Sequence, residues 1–302
     1  YEIASCLVGS EMCIRDRFIA PIFAAFMLDT SSMSALPGGY LNPFSSWQDI
    51  VSGLAWGLGY FGMPHIIIRF MSIKSQKDLK KSAKIGITWT LLIVFFATLI
   101  GVIGRLFLGF DESINENSLV FIQIVRKIFP GVISGILLSA VLAASMSTAD
   151  SQLLAASSAF SSDVYKPVIR KGKASDKEMM WTGRIVVLGI AVAALIIASN
   201  PNAGSIMALV SNAWGIFGAA FGPAIMLSLF WKRFNFKGAV AGIITGAAVD
   251  ILWYAFLTST RIYELLPGFV LGLIAAVVVT LCTNEPSKEV YELFDKAEKF
   301  DE

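Results

Sequence analysis

Hydroxyl side chains cluster between residues 131 and 163, where the sequence is apolar and almost free of charge. Ser147, Thr148 and Ser151 recur at spacings that place them on one face of an α-helix, in line with Ala144 one turn earlier. Hydroxyls and freed backbone carbonyls supply the oxygens with which membrane transporters coordinate Na⁺. This face therefore predicts a Na⁺ site. The alternative is close packing, because small residues let membrane helices approach and Ser or Thr can bond to their own backbone.

An acidic residue interrupts the same stretch. Asp150 lies roughly 120° away from the hydroxyl face by helical geometry. An acid in a membrane span is costly and usually functional. Asp150 and Ser151 are therefore candidate functional residues, and Asp150 has either a separate role or a place near the water interface.

A second cluster joins aromatic rings to helix-weakening residues within 50–69. The glycines and the proline that crowd into twelve residues are Gly53, Gly57, Gly59, Gly62 and Pro64. Glycine and proline weaken a helix, and discontinuous membrane helices are the usual location of a transporter's binding site. Trp56 and Tyr60 share a helical face that Pro64 continues. The alternative is a small-residue packing seam beside an aromatic pair at the membrane interface.

The composition indicates an integral membrane protein whose helices would position both clusters. The chain is 56% hydrophobic and 15% charged, with a mean hydropathy of +0.70, whereas soluble domains carry about 25% charged residues. We predict an all-α integral membrane protein, with a transmembrane region at 18–282 and a tail at 283–302. About seven complete transmembrane helices are expected after the end of one more at 18–28. Their predicted bounds are 50–69, 85–108, 131–162, 181–198, 206–230, 238–257 and 267–282.

Loops rich in Lys and Arg alternate with loops that are not. The segments 69–84, 163–184 and 231–237 are basic, and basic loops of membrane proteins face the cytoplasm. The alternation predicts that the first complete span runs from outside to inside. It also predicts a multi-pass protein of the cell membrane whose C-terminal tail is cytoplasmic.

The sequence lacks the residues that several classes of function would require. The single histidine and the three cysteines have no metal-ligand spacing, and the sequence contains neither a nucleophile–base pair nor a phosphate-binding glycine loop. We therefore expect no enzyme and no nucleic-acid partner. The expected partners are the lipid bilayer and a small-molecule substrate.

Residues 1–17 differ in character from the rest of the chain. The run SCLVGSEMCIRDR resembles the translated read-through of a sequencing adapter. We expect residues 1–17 to be non-native, the native sequence to begin near Phe18, and the N-terminal part of the protein to be missing.

Two long motifs resemble the sodium/solute symporter family. They are WGLGYFGMPHIIIRFM at 56–71 and SAVLAASMSTADSQLLAASSAFSSDVYK at 139–166, and SNAWGIFGAAFGPAIMLSLFW at 211–231 and YELLPGF at 263–269 extend the match. The resemblance implies a leucine-transporter-like fold, in which two inverted five-helix repeats carry accessory helices. This chain would hold the C-terminal part of that fold, without the first repeat helix and its share of the sodium ligands.

The resemblance also implies ligands and an activity. Na⁺ would be bound by the hydroxyls of Ser147 and Thr148 and by the backbone carbonyl of Ala144. The implied substrate-binding residues are Trp56, Gly57, Gly59, Tyr60 and Pro64. The implied activity is Na⁺-coupled symport of L-proline across the cytoplasmic membrane. The alternatives are symport of pantothenate, another amino acid or a sugar, and a symporter-like membrane sensor domain.

Overall fold

The computed structural model describes residues 26, 42, 44, 46–71, 73, 75–108, 119–200 and 206–299. The predictions for residues 1–17 and for a span at 18–28 lie outside this part of the chain, apart from Phe26. No β-strand occurs among the described residues, so the predicted all-α fold class is confirmed.

The structure describes ten α-helices between residues 47 and 299. In chain order they are α1 (Trp47–Trp56), α2 (Pro64–Met71), α3 (Gln76–Leu108), α4 (Val120–Ile128), α5 (Gly131–Ala159), α6 (Asp176–Ala198), α7 (Ile206–Phe230), α8 (Phe236–Phe256), α9 (Leu265–Leu281) and α10 (Lys288–Lys299). Two 3₁₀ turns, Gly57–Phe61 and Thr258–Thr260, and a π-helix, Phe160–Ile169, lie between them. Within the described ranges, five helices, α3 and α5 to α8, are long and apolar enough to cross a membrane, and α9 is a shorter apolar helix.

Helix starts differ from the predicted spans because caps, rather than hydropathy, decide where a helix begins. Helix α6 begins at Asp176 instead of residue 181, since Ser175 and Glu178 form a reciprocal capping box. Helix α3 begins at Gln76 instead of residue 85, one residue after Ser75, whose hydroxyl accepts from the Asp78 amide at 3.2 Å. The apolar stretch therefore marks the membrane-spanning part of each helix, and the cap marks its end.

The predicted interruption at 50–69 is confirmed. Helix α1 ends at Trp56, the 3₁₀ turn Gly57–Phe61 follows, and α2 begins at Pro64. A proline at a helix start is favourable, because the N–H that it lacks would have no partner inside the helix.

The chain divides into two compact units, one of residues 1–40 and 74–203 and the other of residues 41–73 and 204–302. In the first unit, Ile124 and Val125 of α4 are buried, against Ile100 of α3 and Leu137 of α5 respectively. In the second unit, α7, α8 and α9 pack closely around a buried cluster of Ala219, Leu265 and Phe269.

Candidate functional site

The 3₁₀ turn of the second unit lies directly on α7. A Cβ atom on Gly59 would collide with the indole of Trp214, and one on Gly218 would lie 2.7 Å from the Gly59 Cα. A Cβ on Gly62 would collide with the backbone carbonyl of Phe217. Gly59 and Gly62 are therefore needed for the close approach of the turn to α7, whereas a Cβ atom on Gly53 or Gly57 would meet nothing within 4 Å.

Four aromatic rings meet where the turn touches α7. Trp56 stacks on Trp214, with ring centroids 5.7 Å apart, and on Tyr263, with centroids 5.5 Å apart. Tyr60 meets Trp214 edge to face at 4.9 Å. The Trp214 indole N–H donates to the Trp56 carbonyl at 3.0 Å. We call these four residues the aromatic cluster, and it contains two of the predicted site residues, Trp56 and Tyr60.

Trp214 and Tyr263 were not among the predicted site residues. Both lie within the shorter segments that extend the family resemblance, which was the only signal for them in the sequence. Their partners are far away along the chain, and no periodicity connects them.

A cavity of about 430 Å³ opens beside the aromatic cluster within the same unit. Trp56 and Tyr263 form part of its wall, and its charged lining residues are Asp49, Arg261 and Glu264. The wall therefore offers a flat aromatic surface, a cation and carboxylates, a combination that suits a small molecule carrying both charges. Tyr60, Pro64, Gly57 and Gly59 are not in the lining of this cavity. Pro64, Gly57 and Tyr60 are exposed, and Gly59 is buried.

Three hydrogen bonds hold the loop before α9 at the cavity. The Ser52 hydroxyl donates to the Arg261 carbonyl at 3.3 Å and accepts from the Tyr263 amide at 3.1 Å. The Tyr263 hydroxyl donates to the Ser211 carbonyl on α7 at 2.6 Å. These bonds connect α1, α7 and the loop, so the positions of Tyr263 and Arg261 depend on all three elements.

Burial changes the acid–base behaviour of this loop. Desolvation raises the pKa of the Glu264 carboxyl above its ordinary value. It also raises the pKa of the Tyr263 phenol, with the Glu264 charge as a second cause. Tyr263 is therefore a neutral hydrogen-bond donor at physiological pH, and the charge on Glu264 is expected to be sensitive to pH.

The hydroxyl face of α5 lies in the first unit. The Thr148 hydroxyl donates to the Ala144 carbonyl at 3.1 Å. The Ser151 hydroxyl donates to the carbonyls of Ser147 and Thr148, at 3.1 and 2.9 Å. Ala144 and Ser147 are half-buried, whereas Thr148 and Ser151 are exposed.

Two of the oxygens predicted to bind Na⁺, the Thr148 hydroxyl and the Ala144 carbonyl, lie side by side. At 3.1 Å apart, they could share one cation with metal–oxygen bonds of about 2.4 Å, the range seen for hard cations. The same bonds also fit the alternative interpretation, in which hydroxyls on a membrane helix bond to their own backbone. Asp150 is exposed on this helix.

Comparison with known proteins identifies related chains. Residues 23–246 match the family model described as the sodium:solute symporter family. The osmoregulated proline transporter of Bacillus subtilis is 47% identical over 253 residues, which cover 83% of this chain and 51% of the relative. The sodium/proline symporter of Escherichia coli is 42% identical over 254 residues, 82% of this chain and 50% of the relative. The chain thus spans about half the length of the curated relatives it matches.

Proposed function

Because this chain belongs to the sodium:solute symporter family, we propose that it functions in Na⁺-coupled symport of L-proline across the cell membrane. Proline is a small zwitterion with an apolar ring. The observation that carries the proposal is the cavity beside the aromatic cluster, whose wall combines Trp56 with Arg261 and carboxylates.

Each wall group has a place in binding such a solute. The Arg261 guanidinium would bind the solute carboxylate, for which its planar fork is suited. Asp49 or Glu264 would bind the ammonium group, and the face of Trp56 would cover the apolar ring. Tyr60 would support this wall indirectly, since its ring meets the Trp214 ring edge to face.

Na⁺ would be bound on α5 by the hydroxyls of Ser147 and Thr148 and the carbonyl of Ala144. The adjacent Thr148 and Ala144 oxygens support this assignment. If Na⁺ binding favours the state that binds solute, then solute binding must favour Na⁺ to the same extent, because coupling free energy is reciprocal. Asp150 and Ser151 stand close to these ligands in sequence, and the Ser151 hydroxyl would position Thr148 by donating a hydrogen bond to its carbonyl.

Transport by the full-length protein in proteoliposomes tests the activity. An inward Na⁺ gradient should drive accumulation of labelled proline, and replacing Na⁺ with choline should abolish it. Proline uptake without Na⁺ would overturn the coupling. If labelled proline does not accumulate but labelled pantothenate, another amino acid or a sugar does, one of the alternative solutes is assigned. Solute binding without transport would favour a sensor.

The orientation proposed from the loop charges has a separate test. A cysteine at position 115 should react with a membrane-impermeant thiol reagent in intact cells, whereas a cysteine at position 173 should react only after permeabilisation. The native cysteines, including the exposed Cys282, are replaced first. The opposite labelling pattern would place the C-terminal tail outside.

A further inference from the structure

Asp250 lies in the C-terminal half of the apolar helix α8 and is almost completely buried, with 1% of its surface exposed. Its Oδ2 atom has no hydrogen-bond partner among the described residues. Two glycines from neighbouring helices make room for it. A Cβ atom on Gly215 of α7 would lie 2.9 Å from Oδ2, and one on Gly268 of α9 would lie 3.2 Å from the Asp250 Cβ.

A second acid lies close to this carboxyl group. The Cγ atom of Glu264 is 3.4 Å from the same Cβ position on Gly215 that approaches Asp250 Oδ2. Tyr263, whose hydroxyl already donates to the Ser211 carbonyl, and Tyr254, one turn further along α8, are also near this place. The remaining charged groups of the cavity that Glu264 lines are Asp49 and Arg261. Helix α7 contains no titratable residue.

Among the described residues no positive side chain forms an ion pair with Asp250, and this includes Arg261, which lines the cavity with Glu264. Helix α8 itself carries only Lys237 as a positive side chain, more than three turns away. An ionised carboxylate without a partner is strongly disfavoured in a protein interior and more so at membrane depth. Glu264 cannot stabilise an ionised Asp250, because a second negative charge nearby adds repulsion.

We propose that Asp250 is a binding site for a small monovalent cation, either a proton or a sodium ion. The site uses none of the residues assigned to Na⁺ on α5, and it stands whether or not the chain carries proline. Neutralisation of one carboxylate is the chemistry common to both ions. A proton would turn Asp250 into a donor, whereas Na⁺ would be held by the free Oδ2 with nearby oxygens.

Infrared spectroscopy of the full-length protein with ¹³C-labelled aspartate tests the proposal directly. A bound proton predicts a carboxylic acid C=O band at neutral pH that disappears as pH rises and ignores the exchange of Na⁺ for choline. A bound sodium ion predicts a carboxylate band that shifts when Na⁺ is added. In either case the band should be missing from Asp250→Asn. A carboxylate signal that responds to neither pH nor Na⁺ would overturn the proposal.

A matched variant and a stability measurement sharpen the result. Asp176→Asn removes an exposed and equally labelled aspartate of α6 and should leave the band unchanged. Asp250→Asn keeps the shape of a protonated acid. If the ligand is a proton, this variant should therefore match the wild-type melting temperature at neutral pH and exceed it at alkaline pH. If the ligand is Na⁺, the variant should lose a Na⁺-dependent rise in melting temperature that the wild type shows. If Asp250→Asn fails to fold, Asp250→Glu keeps a carboxyl group but carries no aspartate label, so the band should be missing from its spectrum as well.

Discussion

The hydroxyl face of α5 and the aromatic cluster of the second unit are built in opposite ways. On α5, the hydroxyls of Thr148 and Ser151 bond to carbonyls three or four residues earlier in the same helix. In the aromatic cluster, the bond between Trp214 and Trp56 spans 158 positions, and the one between Tyr263 and Ser52 spans 211. The bonds on α5 form wherever this segment is helical, whereas those of the aromatic cluster form only when distant segments of the chain pack together. Mutations should therefore act locally on α5 and propagate through several elements in the cluster.

The largest effect is expected from Thr148→Val, which keeps the shape of the side chain and removes its oxygen. If this hydroxyl binds Na⁺, the loss of a bond to a charged group of about 1.5–3 kcal/mol should raise the Na⁺ concentration for half-maximal uptake. At about 1.4 kcal/mol per factor of ten, the increase is roughly 10- to 150-fold.

Thr148→Ser is the matched control because it keeps the oxygen, and its Na⁺ dependence should stay near that of the wild type. Saturating Na⁺ should restore most of the solute affinity of Thr148→Val. If Thr148→Val kept the Na⁺ dependence of the wild type, the hydroxyl face of α5 would have a role in helix packing and not in Na⁺ binding.

This contrast also explains what could be predicted from the sequence. The hydroxyl face followed from helical periodicity, and the interruption of the first span followed from its glycines and proline, because both are local properties. Trp214, Arg261 and Glu264 become site residues only through contacts between distant segments, which no spacing reveals. Helix starts were shifted for a related reason, since a cap such as Ser175 is polar and lies outside the apolar stretch that hydropathy detects.

The next largest effect is expected from Trp56→Ala, which removes a ring that faces the cavity and stacks on two others. A lost apolar contact of about 1–3 kcal/mol corresponds to roughly a 5- to 150-fold increase in the KM for proline. Trp181→Ala is the control, because Trp181 is a half-exposed tryptophan of α6 in the other unit. Equal KM values for the two variants would return Trp56 to a packing role.

A smaller effect is expected from Tyr263→Phe, which keeps the stacking on Trp56 and removes the bond to the Ser211 carbonyl. A neutral hydrogen bond contributes about 0.5–1.5 kcal/mol, so the KM should rise by roughly 2- to 10-fold. If the aromatic cluster acts as one unit, the effects of Tyr263→Phe and Trp56→Ala on the KM are not additive, because both variants alter one set of stacked rings. Additive effects in a double-mutant cycle would mean that the two residues act separately.

The smallest effect is expected for the pH dependence contributed by Glu264, because this side chain is only half-buried and water screens its charge. Burial raises the pKa of its carboxyl in the folded protein. The unfolded chain therefore loses its proton first as pH rises. Stability is highest below the ordinary pKa of a glutamate, falls as pH rises towards the folded pKa, and stays lower above it.

Glu264→Gln removes that titration, so the difference in melting temperature between the variant and the wild type should grow from acid to neutral pH in favour of the variant. The matched substitution in the other unit is Glu178→Gln, whose exposed carboxylate is bonded to Arg170 and to the Ser175 amide. Its bonds stabilise the charged form, so the difference for Glu178→Gln should change with pH in the opposite direction, in favour of the wild type at neutral pH. If the melting-temperature differences of both variants changed with pH in the same direction, burial would not be what distinguishes Glu264 at the cavity from Glu178 at the helix cap.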